Sequence, residues 1–159
     1  MLRLIFSSVE TSSDLRSAVS EYESIWNAEG GRISEALEKV TGNVLNEINA
    51  IIHRGPSSSG VDGEPLFLRF DYPRDTKLAT LIHELSHRYI DRLAPEGWDS
   101  HQVLNLFLYD VWSDLYSKEF ADNEVEVEKK RGERYQKSWD WALKMTRDER
   151  EEKLREVLK

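Results

Sequence analysis

The chain has 159 residues, 39% apolar and 33% charged, with a formal net charge of −8 and a pI near 5.1. That length suits one domain, spanning 1–159. The acidic balance argues against a protein that works by gripping nucleic acid or an anionic membrane, since both need clustered Lys and Arg. Cysteine is absent, which excludes disulfides and any thiolate zinc site.

Residues 2–8, LRLIFSS, combine branched and aromatic side chains and predict a strand. Their apolar run is too short for a secretory h-region, and no stretch reaches the ~20 apolar residues of a membrane span. A cytoplasmic chain without a signal peptide is the expectation. Residues 11–42 offer Ser and Asp caps and apolar residues at helical spacing, interrupted at Gly30-Gly31 and closed by Gly42, which predicts one or two helices.

Over 43–55, NVLNEINAIIHRG, Val44, Ile48, Ile51 and Ile52 fit either period, with strand character towards the end. PSSSGVDGEP is a polar loop by composition, either a lid or a solvated connection. LFLRFDY, 66–72, alternates as a further strand and stops at Pro73. From Asp75, a cap candidate, apolar residues at 78, 81, 82, 85, 89 and 93 predict a helix.

APEGWDS, 94–100, breaks that helix, and Asp99 or Ser100 caps the strongly apolar helix HQVLNLFLYDVWSDLY. Beyond Lys118 the composition turns charged, and EVEVEKKRGERYQK reads as a solvated helix. Trp139, Trp141 and Leu143 are expected to pack back on the domain, and the helices from about 119 to support it. Thr146 with Glu149 forms a capping box that opens the last helix. The resulting order, β-α-(α)-β-β-α-α-α-α, is an α+β fold with a small sheet and a largely helical C-terminal half.

The chemistry concentrates in TLIHELSHRY, 80–89, which holds two of the four histidines. On a helix, positions i and i+4 share a face, so the His83 and His87 imidazoles can converge on one Zn²⁺. Zinc takes imidazole nitrogen, and a catalytic site has three protein ligands with one position open to water. Glu84, beside the first ligand, can accept a proton from that water and return it to a leaving amine. At about 100° per residue, the apolar stripe of Leu78, Leu81, Ile82, Leu85, Tyr89 and Leu93 leaves His83 and His87 off its centre. That placement argues against histidines that merely plug an apolar face.

The strand LFLRFDY, the helix carrying H-E-L-S-H and the return helix together resemble the core of a zincin metallopeptidase. The resemblance implies that His83 and His87 are zinc ligands, that Glu84 is the catalytic base, and that the strand before the helix forms a cleft edge on which a peptide could add as an extra strand. The extended pattern H-E-x-x-H-x-x-G-x-x-H is not present, because Leu93 stands where its third His would fall.

His101 is the leading candidate for third ligand. It opens the next helix about a dozen residues on, in a pattern that resembles SprT-like and minimal zincin peptidases. Glu119 is the runner-up, since SKEFADNE resembles the second zinc segment of gluzincins. Asp110 and Asp114, four apart on an apolar helix, are further candidates, either as ligands or as partners of a ligand His; an N–H or Arg partner with no zinc role is the alternative. Tyr89, Tyr109 and Tyr116 are core aromatics unless one hydroxyl serves an oxyanion, and His53 reads as an exposed histidine.

The function these residues predict is a zinc-dependent peptidase with one zinc per chain and a peptide or protein substrate. The competing readings are a non-catalytic zincin-fold regulatory or scaffold protein with a structural metal, and a hydrolase of non-peptide amides.

Overall fold

Leu4, Ile48, Ala50, Ile52, Leu66 and Leu68 are all buried and recur at every second position of their segments. That period of two builds a sheet with one inward face. The computed structural model describes residues 2–60, 63–90, 93 and 95–158. Val61 and Asp62 of the expected loop, and Ala94 of the expected helix break, lie outside them. The chain divides into two compact units, Met1–Tyr89 and Ile90–Lys159.

In the first unit, strands β1 (Arg3–Ser8), β2 (Glu47–His53) and β3 (Leu66–Arg69) form a parallel sheet in the order β1-β2-β3. The register sets Leu4 beside Ile48, Phe6 beside Ala50, Ala50 beside Leu66 and Ile52 beside Leu68, so the buried residues form continuous rows across the strands. β3 is shorter than its sequence pattern: Phe70 and Asp71 already turn towards the following helix.

Helix α1 (Ser13–Thr41) crosses from β1 to β2 and packs on both. Leu15, Ala18, Tyr22, Ile25, Ile33 and Leu37 form its buried stripe, and Gly42 ends it at φ 72° with its N–H on the Glu38 carbonyl. The expected interruption at Gly30-Gly31 does not occur. Gly30 is buried with the Trp26 ring lying where its Cβ would be, only 2.7 Å away, so the glycine there makes room for an aromatic one turn back. Tyr22 ties the layers together by donating from its hydroxyl to the Arg69 carbonyl at 2.9 Å.

Helix α2 (Arg74–Ile90) follows β3 and starts at Arg74, with Asp75 inside the first turn rather than capping it. Its expected stripe is also too narrow a description. Every residue from Thr76 to Ser86 is buried, so α2 is covered on all sides.

The second unit is helical among the described residues: α3 (Ser100–Asn105), α4 (Leu108–Leu115), α5 (Lys118–Lys129), α6 (Glu133–Ala142) and α7 (Arg147–Val157). The single helix expected over 101–116 is broken at Leu106–Phe107, and the charged segment is broken at Gly132, whose φ is 155°. Trp139 is fully buried against Trp112, at 5.8 Å between ring centroids, whereas Trp141 and Leu143 are half-buried. The expected capping box is present: the Thr146 hydroxyl accepts from Glu149 N–H, and the Glu149 carboxylate accepts from Thr146 N–H at 2.7 Å. The arrangement is α+β, with a small sheet and mostly helix. Among the described residues no helix is long and apolar enough to cross a membrane.

Candidate metal centre

His83 and His87 lie one turn apart on α2, as their spacing requires. Their rings stand 5.0 Å apart between centroids at 60°, and their Nε2 atoms are 3.2 Å apart. Two imidazole nitrogens bound tetrahedrally to one zinc at 2.0–2.1 Å would lie about 3.3 Å apart. The pair therefore already has the separation that a shared ion imposes. His83 is 1% exposed and Glu84 5%, while His87 is half-buried, so the pair meets solvent at its His87 end.

Around the motif, α2 carries other buried polar side chains. Ser86 satisfies itself by donating to the Ile82 carbonyl at 2.7 Å. Lys77 pairs with Glu21 and stands 5.7 Å above the Tyr22 ring. Arg88, directly after His87, donates to the Glu64 carbonyl just ahead of β3.

His101 occupies the first turn of α3. Asp99 caps that helix, accepting from His101 N–H at 2.8 Å, and its Oδ1 stands 3.6 Å from His101 Nδ1. Arg134 holds the other Asp99 oxygen at 2.8 Å. Partial burial alone would raise the Asp99 carboxyl, but the hydrogen bonds from Arg134 and His101 N–H outweigh it and keep it below the ordinary carboxylate value. Tyr135 packs edge-on against the imidazole, at 4.7 Å between ring centroids.

Within the first unit, His83 and His87 bring two imidazole donors together, and His101, the leading candidate for third ligand, opens α3 in the second unit. Three imidazoles without thiolate or carboxylate form a borderline donor set that suits zinc and leaves one tetrahedral position for water. The residues present thus fit the group that the motif implies.

The other candidates are held elsewhere. Asp110 is gripped on both oxygens by Arg150 at 2.8 and 3.0 Å, and Asp114 by Arg147 at 2.7 and 2.8 Å. Both aspartates thus have the arginine partners considered from sequence. Glu119 is exposed in the first turn of α5, and Asp122 accepts from the Tyr109 hydroxyl at 2.8 Å and from Lys118 at 2.6 Å. Tyr89 is fully buried, and burial together with the Glu38 charge pushes its hydroxyl up to about 12. Tyr116 packs on Phe120 at 4.8 Å. His53 is not a free surface histidine: its Nε2 meets the Pro56 carbonyl at 2.9 Å and its ring packs on Phe67.

Sequence reasoning missed Glu124 and Glu128, both buried on α5 in a run taken for a solvated face. Glu128 receives the Trp139 indole N–H at 2.8 Å. Only their four-residue spacing could have hinted at a shared inner face.

No family model, curated protein or solved structure matches the chain.

Proposed function

We propose that the chain is a zinc-dependent peptidase in which His83, His87 and His101 hold one zinc and Glu84 is the general base. The observation that carries this reading is the 3.2 Å approach of the His83 and His87 Nε2 atoms on a helix where Glu84 is also buried. When bound, zinc would polarise the scissile carbonyl and acidify a coordinated water. The chain's own part begins with α2, which fixes two imidazoles with no loop between them. A rigid helix loses little on binding the ion because the nitrogens are preset. Glu84 holds the proton at its carboxylate and returns it to the leaving amine, a role typically worth about 10²–10⁴ in rate. Asp99, pinned by Arg134, caps α3 at His101 N–H and stands 3.6 Å from His101 Nδ1, where it would help to orient that ring.

The test is metal analysis and hydrolysis of β-casein by the purified chain and its Glu84→Gln variant. The expected result is one zinc per chain in both, with hydrolysis at least about 100-fold slower in the variant. Equal rates would refute the mechanism. His101→Ala should lose zinc where Glu119→Ala keeps it.

The near-complete burial of His83 and Glu84 favours a second reading, a non-catalytic regulatory or scaffold protein with a structural metal. Zinc retained in both chains, with no hydrolysis by the parent, would establish it.

A further inference from the structure

β3 is an outer strand of the sheet, and its outer edge is where another extended chain could pair. The backbone groups that β3 turns to that edge belong to Phe67 and Arg69. Ser58 exchanges both hydrogen bonds with Phe67, each at 2.8 Å, as an isolated antiparallel bridge. Arg69 N–H donates to the Ser57 hydroxyl at 3.0 Å, and the Arg69 carbonyl accepts from Tyr22. All four groups are therefore taken within the chain, three of them by the short segment 57–58.

That segment is lightly held. Pro56 and Ser58 are exposed, and Ser57 and Ser59 half-buried, so no apolar side chain anchors it in the core. Among the described residues, its attachments to β2 and β3 besides the backbone bridge are the contact between His53 Nε2 and the Pro56 carbonyl at 2.9 Å and the Ser57 hydroxyl. Segments with few buried apolar contacts open at low free-energy cost. The same edge is linked to the candidate centre, because Arg88, one residue beyond His87, bonds Glu64 at the entry to β3.

We propose that Pro56–Ser59 is an internal strap on the β3 edge, occupying the place an extended peptide would take, so that peptide is admitted only when the strap lifts. This rests on the peptidase reading for its substrate class. The strap presents an antiparallel backbone to Phe67, so the peptide that replaces it runs antiparallel to β3 and takes the same two hydrogen bonds.

The test uses the full chain carrying Glu84→Gln, with zinc present, so that bound peptide is not cut; the probe is β-casein. Ser58→Pro removes the N–H that bonds Phe67. It should speed amide exchange at Phe67 and Arg69, and if the strap is closed nine-tenths of the time, it should tighten casein binding about tenfold. Casein should restore protection at both amides. His53→Ala, which removes the Pro56 contact and the ring packed on Phe67 but keeps the bridge, should shift both readouts the same way by less; it serves if Ser58→Pro fails to fold. Equal casein affinity with and without the strap substitution, binding that leaves Phe67 and Arg69 unprotected, or no binding in any variant would overturn the proposal. Hydrolysis is not read in this assay. A chain that binds casein in this strap-dependent way but never cleaves it would refute the peptidase reading and leave the strap intact.

Discussion

Asp110 offers a test in which stability and metal binding separate. Its carboxylate and the Arg150 guanidinium form a two-point pair with side chains only 12% and 6% exposed. Removing the acid by Asp110→Ala leaves Arg150 with the Met145 carbonyl and the Tyr109 ring face, but with two donors emptied inside the protein. Breaking a buried pair from one side costs about 3–5 kcal/mol, because the remaining charge keeps its desolvation penalty. Replacing both partners, as Asp110→Leu with Arg150→Met, removes that penalty and should return stability to within about 1 kcal/mol of the parent or above it. Urea unfolding followed by tryptophan fluorescence reads this directly; the midpoint should fall with an unchanged slope. Zinc content should stay at the parent value in both variants, since Arg150 occupies both Asp110 oxygens. A single variant that loses less than about 1 kcal/mol, or one that keeps its stability but loses zinc, would refute this reasoning; the second result would make Asp110 a ligand.

Two further predictions concern α1. Gly30→Ala should destabilise by about 1–3 kcal/mol, because the new methyl meets the Trp26 ring at 2.7 Å. Gly31→Ala, with nothing within 4 Å, should stabilise by up to about 1 kcal/mol through helix propensity alone; thermal melts of the pair should move in opposite directions. Near the start of α1, hydrogen bonds from Arg54 and then Ser12 lower the Asp14 carboxyl from 3.8 to about 2. The folded value lies below the unfolded one, so the stabilisation is present above 3.8 and is lost as pH falls towards 2. Urea midpoints across that window should fall less steeply for Asp14→Asn than for the parent, and parallel slopes would show that the pair contributes nothing.

What the sequence made legible follows from the range of each signal. Branched and aromatic residues in LRLIFSS and alternation in LFLRFDY report strands, and both formed, the second over Leu66–Arg69 alone. Thr146 with Glu149 and Gly42 are local devices, decided within a few residues, and both sit where the pattern put them. Breaks depend on packing instead. Gly30-Gly31 does not interrupt α1, because Trp26 fills the space a side chain would have taken. The apolar run after His101 does break at Phe107, a position no turn residue marks. The charge run on α5 hides Glu124 and Glu128 because periodicity reports composition on a face and not what covers it.

The same limit applies most strongly to α2, and there it bears on function. Its apolar stripe suggested a helix with one wet side, yet the structure buries it all round, taking Thr76, Lys77, Thr80, His83, Glu84 and Ser86 out of water with the leucines. A central helix selected for packing alone would be apolar on every face, since each buried polar group costs stability unless it is compensated. Ser86 and Lys77 have evident local partners, and their presence is explained by them. His83 and Glu84, adjacent in sequence, diverge by about 100° around the helix, so they face different parts of what covers α2. Periodicity within residues 74–90 marks both as off the centre of the apolar stripe, but it carries no information on the packing that takes them out of water as well. Polar groups that break the local rules of a core are expected where function holds them, which is why the proposed mechanism is tested first at Glu84.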